Sequence, residues 1–218
     1  MNALSKMSRG SKRSAGSKPT AGDVFAALPV VDEEAMRRLH DKLETAAEND
    51  GVLDIAYRTI DTPVGSLLLA ATELGLMRVA YDGQGHDKVL AELALKVSPR
   101  ILKTPARLDT VAREVDEYFA GARRGFDVPL DFRLAKGFRL DVLTHVAEID
   151  YGKTQSYAEV AVAVGSPNAV RAVGTACATN PLPIVVPCHR VVRSDGSFGG
   201  YAGGPEAKRA LLTLETAA

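Results

Sequence analysis

Cys188 and His189 are adjacent in the chain, and their side chains are suited to nucleophilic chemistry. A cysteine thiolate attacks electrophilic carbon, and an imidazole can take the thiol proton near neutral pH. Side chains of neighbouring residues seldom face each other, so His189 needs a third group to orient it if it acts on the thiol. Glu215, at the end of a helix predicted over 205–215, is a candidate. A core thiol beside a surface imidazole is the alternative that this dipeptide leaves open.

The chain has two cysteines, Cys177 and Cys188, which lie eleven positions apart. Without a C-x-x-C pair or a third thiol, neither a disulfide framework nor a sulfur-rich zinc site is predicted. Cys177 is predicted to be a buried structural thiol, because free cysteine behaves as a small hydrophobic side chain. We expect no bound metal ion and no cofactor, since the remaining histidines are scattered: His40, His86 and His145.

Bulk composition sets limits without indicating a function. The 218 residues are 46% apolar and 25% charged, which allows one good core or two small ones. The 27 basic residues balance 27 acidic ones, and this counts slightly against a nucleic-acid partner, which usually selects a basic surplus. No stretch approaches the roughly 20 apolar residues of a membrane span, and no secretory signal is evident. We therefore expect a cytoplasmic protein with no membrane partner, and we also expect it to be a monomer.

The first 50 residues precede the first predicted domain. Residues 1–31 are rich in Ser, Gly and Lys, which predicts a disordered basic tail, with a tether to DNA as the alternative. Residues 32–50 are predicted to form an extra N-terminal helix, which begins with acidic residues. Its apolar side chains recur on one stripe: Met36, Leu39, Leu43 and Ala47. We interpret this segment as a docking helix.

Residues 51–131 predict a first domain of mixed α and β structure. Three short segments bounded by turn residues predict the strands of an antiparallel meander: 53–62, 66–73 and 76–82. Two segments with helical spacing follow: 86–97 and 106–120. A mainly helical second domain, residues 132–218, begins near Phe132. The predicted fold class is therefore α+β.

A helix-turn-helix is predicted in the stretch that begins at Ser156. Ser156 and Glu159 have the spacing of a capping box, and Gly165 suits the end of a first helix. Ser166 can cap a second helix with Pro167 at its first position. A plain helical hairpin is the alternative, because the same pattern occurs in many unrelated helical domains.

The second of these helices presents small side chains and one long cation. Its buried side is predicted to carry Val170, Val173, Gly174 and Cys177. Its other faces carry Ala169, Arg171, Ala172 and Thr175. A helix that reads the major groove usually offers several Arg, Asn or Gln side chains to base edges. Small side chains instead allow close approach to DNA, and one arginine can enter the base stack, as in proteins that act on an extruded base.

The segment that follows this helix and contains the thiol is NPLPIVVPCHRVV, residues 180–192. Its first two prolines end the helix, because proline lacks a backbone donor. The three apolar residues Ile184 to Val186 are predicted to form a short buried extended piece. Pro187 then fixes the backbone directly before Cys188.

These motifs together resemble the methylated-DNA–protein-cysteine methyltransferase family, also called the O6-alkylguanine-DNA alkyltransferases. The resemblance rests on PCHRVV after NPLPIVV, on SYAEVA and AVRAVG upstream, and on GGYAGG downstream. It covers about residues 53–218, and the first domain matches only loosely, through DTPVGSLLLAA. It implies a ribonuclease H-like first domain and a winged-helix-like second domain that binds DNA through the minor groove.

The resemblance also implies an activity. Members of the family repair double-stranded DNA by moving a methyl or larger alkyl group from O6-alkylguanine to one of their own cysteines. The same activity is expected on O4-methylthymine. The base is rotated out of the duplex, and the thioether product is irreversible, so one molecule repairs one lesion.

By position, Cys188 resembles the alkyl acceptor of the family. His189 resembles the base that activates this cysteine through a water, and Glu215 resembles the residue that orients the base. Tyr157 resembles the tyrosine that helps to rotate the nucleotide and protonates guanine N3. Arg171 resembles the arginine that fills the vacated stack. The other implied DNA contacts are Ala169, Ala172 and Thr175.

The implied substrate pocket is formed by the residues around the thiol. Asn180 resembles a hinge asparagine between the second helix and the cysteine loop. Val191, in the PCHRVV motif, is also expected to belong to the pocket. Tyr201 to Gly203 resemble one wall of the pocket. Ala202 is a serine in some members, so only its backbone amide could contact O6, which leaves the preference for larger alkyl groups open. We also expect the Cys188 thiol to titrate below its ordinary pKa of about 8.5.

Three other functions fit the residues less well. A non-catalytic damage sensor of the alkyltransferase-like kind would lack the acceptor cysteine. A transcription factor would show polar base-reading side chains on the second helix. A cysteine hydrolase would need its cysteine and histidine separated in the chain, together with an oxyanion hole.

Overall fold

The computed structural model describes residues 32–217, so the predicted basic tail, residues 1–31, lies outside the described residues. Helix α1 (Glu33–Asn49) confirms the predicted extra helix. The Asp32 carboxylate caps it by accepting hydrogen bonds from the amides of Glu34 and Ala35, at 3.0 and 3.2 Å. Three residues of its apolar stripe are more than half exposed: Met36, Leu39 and Leu43. The docking role of this helix stays a prediction.

The first domain is built on a four-stranded sheet. Its strands are β1 (Ile55–Thr62), β2 (Gly65–Thr72), β3 (Gly75–Tyr81) and β4 (Ile101–Lys103). The spatial order is β3-β2-β1-β4, and both neighbours of β2 run antiparallel to it, which confirms the predicted meander. The sequence did not indicate β4, which is three residues long and pairs in parallel with β1.

Two helices pack against opposite faces of this sheet. Helix α2 (His86–Lys96) packs on the face that carries Leu68, and α3 (Asp109–Phe119), after a 3₁₀ turn at Ala106–Leu108, belongs to the cluster that contains Leu67 and Leu69. Side chains alternate across a strand, so the apolar run of β2 supplies both clusters. Both predicted helices are thereby confirmed.

The second domain shares the larger of the two cores with the first. It contains α4 (Phe138–Ala147), β5 (Gln155–Ser156), α5 (Tyr157–Ala163), α6 (Val170–Ala178), β6 (Val191–Val192) and α7 (Gly204–Thr216). The core that begins with Leu67 of β2 continues through Val146 of α4 and Val173 of α6 to Leu211 of α7. The two domains are therefore packed together through continuous apolar contacts.

Helices α5 and α6 form the predicted helix-turn-helix. The capping box is present: the Glu159 amide donates to Ser156 Oγ, and the Ser156 amide donates to the Glu159 carboxylate. Gly165, at φ 71°, follows the first helix in a conformation that glycine adopts readily.

The predicted start of the second helix was wrong. Ser166 and Pro167 do not cap it; they belong to a turn in which the Ala169 amide donates to the Ser166 carbonyl, and α6 begins at Val170. The predicted burial of Val170 was also wrong, since Val170 is 38% exposed, and Ala176 is buried.

The segment before Cys188 is buried as predicted, but it is not extended. Residues 182–186 form a tight turn in which the Val186 amide donates to the Leu182 carbonyl and Ile184 has φ 75°. The side-chain amide of Asn180 explains this path. Its oxygen accepts a hydrogen bond from the Leu182 backbone amide at 2.9 Å, and its nitrogen donates to the Val186 carbonyl at 2.8 Å. A buried side chain thus replaces the strand partners that an extended piece would need.

Candidate active site

Cys188 is the first residue of a 3₁₀ turn, Cys188–Arg190, and is only 2% exposed. The Asn180 amide nitrogen lies 3.1 Å from Cys188 Sγ and donates to it while also holding the Val186 carbonyl. Asn180 is itself buried. This amide therefore fixes the loop and its sulfur together, directly after the last turn of α6.

His189 and Glu215 meet as predicted. His189 Nε2 lies 2.8 Å from Glu215 Oε1, and both side chains are buried. A carboxylate only accepts hydrogen bonds, so Nε2 carries the proton and a neutral imidazole has its free lone pair on Nδ1. Nδ1 is buried and has no hydrogen-bond partner among the described residues. The imidazole is thus oriented with an unused acceptor, the state that a general base requires.

The Glu215 carboxylate is the centre of a larger network. It accepts hydrogen bonds from Nε and a terminal nitrogen of Arg190 at 2.9 Å, from Tyr118 Oη at 2.7 Å and from the Gly152 amide at 3.1 Å. Burial opposes ionisation of Glu215, but the bonds from His189 and Arg190 outweigh it and hold the pKa of the carboxyl well below its ordinary value. The network therefore stabilises the fold at neutral pH, and this contribution is lost as the pH falls through that lowered pKa.

The expectation that Cys188 titrates below its ordinary pKa was wrong for the protein without DNA. Burial raises the pKa of the thiol to about 11, and the Asn180 amide and the charge of Lys208 offset this only in part. Lys208 is fully buried in α7, and its ammonium donates to the Val191 carbonyl at 2.6 Å. Burial also lowers the pKa of His189, so the imidazole is neutral at pH 7. The resting site thus holds a neutral thiol and a neutral base.

Tyr157 lies at the start of α5, between α6 and the loop that follows β6. The ring contacts Gly199 so closely that a Cβ there would collide with the phenol, and it lies 4.0 Å from where a Cβ on Gly174 would be. Burial raises the pKa of Tyr157 to about 12, so the phenol keeps its proton at neutral pH. Cys188 is near enough to contribute to that rise.

The loop Tyr201 to Gly203 is held by a residue of the first domain. Tyr81, at the end of β3, has its hydroxyl 3.0 Å from that of Tyr201, and the two rings meet edge to face at 5.8 Å. Gly203 lies on the Tyr81 ring, where a Cβ would come within 2.5 Å of ring carbon. Tyr201 also stands edge to face with the His189 ring at 6.2 Å. The loop is therefore fixed beside the imidazole, with Ala202 partly exposed.

The residues implied to contact DNA lie on a different surface from the thiol. Arg171, Ala172 and Thr175 are exposed on α6, and Ala169 is partly exposed just before it. The Arg171 side chain makes no hydrogen bond or ion pair with any described residue. The structure thus brings Asn180 to the thiol and joins Glu215 to His189, the next residue in the chain, while the implied DNA contacts lie on the exposed face of α6.

Sequence reasoning missed four residues around this site: Tyr81, Tyr118, Arg190 and Lys208. A signal existed for two of them. Lys208 precedes Leu211 and Glu215 by three and seven positions, which places it on the buried face of α7, and Arg190 stands next to His189. Tyr81 and Tyr118 come from the first domain, and nothing local indicates that they reach the second.

In residues 32–217 no group of His, Cys, Asp and Glu side chains is arranged to hold a metal ion. Over the same range, none of the helices is both long enough and apolar enough to span a bilayer.

The fold and the site define a two-domain protein in which a helix-turn-helix precedes a buried nucleophilic cysteine. Residues 55–132 match the family model for the 6-O-methylguanine DNA methyltransferase, ribonuclease-like domain, and residues 137–217 match its DNA binding domain. The chain belongs to the 6-O-methylguanine DNA methyltransferase family, as its resemblance indicated.

Relatives and solved structures agree with this family. A methylated-DNA–protein-cysteine methyltransferase of Mycobacterium bovis is 41% identical over 74% of this chain and 92% of its own. One of Methanosarcina barkeri is 36% identical over 73% and 96%. The crystal structure of Mycobacterium tuberculosis O6-methylguanine methyltransferase superposes with a TM-score of 0.66, at 38% identity, over 75% of this chain and 93% of that one. A structure of the M. tuberculosis protein in complex with DNA matches equally well.

Proposed function

We propose that this chain repairs DNA by transferring a methyl or larger alkyl group from O6-alkylguanine to Sγ of Cys188, once per molecule. The observation that carries the proposal is the buried thiol held by Asn180, followed in the chain by an imidazole that Glu215 orients. O4-methylthymine presents a similar O-alkyl carbon and is a second substrate in this proposal. Repair takes place where the DNA is, which we take to be the cytoplasm, and the chain acts as a monomer.

In the proposed reaction the sulfur attacks the alkyl carbon, the S–C bond forms and the O6–C bond breaks. The thiol proton passes to His189 Nδ1, through a water as in the family, because this buried lone pair has no other partner among the described residues. Guanine leaves with the bond electrons and is neutralised by protonation at N3, for which the Tyr157 phenol is the donor. The positive charge of Lys208 stabilises the transient thiolate.

Burial of the thiol also supports extrusion of the damaged base. Cys188 is 2% exposed and lies behind α6, whose small exposed side chains suit close contact with a minor groove. A base within a stacked duplex cannot reach such a sulfur, so it must rotate out of the helix before reaction. Arg171, whose side chain makes no hydrogen bond or ion pair within the described part of the chain, fills the gap in this proposal.

Intact mass spectrometry tests the function directly. Mixed with excess duplex that contains O6-methylguanine, the protein should gain the mass of one CH₂ per molecule and then stop, and peptide mapping should place the methyl group on Cys188. Continued turnover, or a methyl group on Cys177, would contradict the proposal.

The role of Arg171 gives a second prediction. If it stabilises the extruded state, Arg171→Ala should slow methyl transfer from duplex DNA by about 10–100-fold, the effect of losing roughly 1.4–2.8 kcal/mol. Transfer from free O6-benzylguanine needs no extrusion and should change far less. Arg209→Ala, which removes an exposed arginine from α7, is the matched control. Equal losses on both substrates would rule out this role.

A further inference from the structure

A cleft of about 500 Å³ lies between the first domain and the end of α6. Its walls include Arg78 of β3, Glu92 and Lys96 of α2, Arg139 of α4 and Thr179, directly after α6. Arg78 and Arg139 take no part in the proposed alkyl transfer. The cleft nevertheless borders Asn180, so it adjoins the hinge of the cysteine loop.

The charges in this cleft are not balanced by protein groups. Lys96 pairs with Glu92 at 3.3 Å, and the charge of Glu92 also acts on Arg78, so three cations among the lining residues face one acid. The Arg139 guanidinium donates to the Leu134 carbonyl, which is neutral. Arg78 is half-buried, makes no hydrogen bond or ion pair with any residue in 32–217, and has its pKa lowered by burial. Partly desolvated cations that line one cleft and outnumber its acids indicate a site for an anion.

The cleft continues the exposed face of α6. The Thr179 hydroxyl donates to the Thr175 carbonyl at 2.8 Å, and the Thr175 hydroxyl donates to the Arg171 carbonyl at 3.1 Å, so the three residues follow one another along that face, one turn apart. Eight residues of helix span about 12 Å, and phosphates of one DNA strand advance about 3.4 Å per nucleotide along its axis. A DNA strand that runs along this face from Arg171 therefore brings its phosphates to the cleft.

We propose that this cleft binds a phosphate of the DNA backbone, with Arg78 and Arg139 as its ligands. The inference rests on the proposed function, which places DNA on α6. It extends the DNA-binding surface from the helix-turn-helix onto the sheet of the first domain. It also explains how a chain of zero net charge binds a polyanion, since a few cations are placed where the backbone passes.

The test is the salt dependence of binding to an undamaged duplex. Arg78→Gln and Arg139→Gln should each weaken binding by about 3–10-fold near 0.1 M salt and reduce the slope of log K against log salt by about 1. Arg78→Lys keeps the charge and should keep the slope. Arg113→Gln, the control, removes the same charge from an exposed, Glu117-paired position of α3 and should leave both quantities unchanged. Thermal unfolding checks that every variant is folded.

Several results would overturn the proposal. One is an Arg78→Gln variant that binds duplex with the same affinity and slope as Arg113→Gln. Another is a variant that no longer binds inorganic phosphate in a titration but keeps the salt slope of DNA binding. The cleft would then bind a small free anion and not the DNA backbone. The slope does not depend on alkyl transfer. If the unaltered chain binds duplex with the expected slope but gains no CH₂, the proposed function fails and the cleft assignment stands.

Discussion

Cys188→Ser should abolish methyl transfer to below the detection limit of intact mass spectrometry, while the protein still binds duplex DNA. The serine hydroxyl is nearly the same size as the thiol, so it can occupy the same place beside Asn180. It is a far weaker nucleophile, because its proton is much harder to remove and no thiolate can form. The expected loss is therefore chemical and not structural.

Cys177 provides the control for this experiment, because it is the other buried thiol of the chain. Burial raises its pKa, and neither a histidine nor an asparagine of the site bonds its sulfur. Cys177→Ala should transfer one methyl group per molecule, at a rate close to that of the unaltered chain. A methyl group found on the Cys188→Ser protein, or the loss of transfer from Cys177→Ala, would show that the acceptor has been misidentified.

His189→Ala should slow methyl transfer at pH 7 by roughly 10²–10⁴-fold, the usual contribution of a positioned general base. The resting thiol has a pKa of about 11, so at pH 7 only about one molecule in ten thousand holds a thiolate without help. As pH rises toward 11 hydroxide replaces the missing base, and the rate of the variant should climb tenfold per pH unit. The unaltered chain should show a flat profile, because its imidazole is already neutral at pH 7.

Glu215→Gln should show a milder form of the same profile, since the imidazole remains but loses its orienting charge. It also leaves the buried guanidinium of Arg190 without a counter-charge, at a cost of about 3–5 kcal/mol in unfolding free energy, so rates must be taken below its melting temperature. Glu206→Gln, at an exposed position on the same helix, is the matched control.

The measurement is single-turnover methyl transfer from pH 6 to 9 for each protein. If His189→Ala reacts like the unaltered chain across this range, the proposed base is wrong. The Asn180 amide and the Lys208 charge would then be the groups that activate the thiol.

The features that the sequence predicted well are those that local chemistry determines. Apolar spacing located the strands β1 to β3 and most helices, and Ser156 with Glu159 marked the start of α5. The meeting of His189 and Glu215 was predicted from the need of an imidazole for an orienting carboxylate together with the family resemblance, and the structure places them 2.8 Å apart.

The features that were missed depend on tertiary contacts. The turn at Ile184 forms because the Asn180 side chain bonds the backbone on both sides of it, and apolar content alone suggests an extended piece. The raised pKa of Cys188 follows from complete burial, which no local motif reveals. Tyr81 and Tyr118 belong to elements of the first domain, but their hydroxyls bond Tyr201 and Glu215 of the second, which no local pattern indicates.

The hydrogen bond from Tyr118 to Glu215 joins residues that are 97 positions apart. On a ribosome that adds about 5–20 residues per second, roughly 5–20 seconds separate the synthesis of the phenol from that of its acceptor. During that interval the sheet and α3 can fold while Tyr118 waits for the carboxylate, whereas His189 and Arg190 are made only 26 and 25 residues before it. A helix made after the Cys188 loop therefore orients the imidazole, and a nascent chain holds its thiol before the network around His189 is complete.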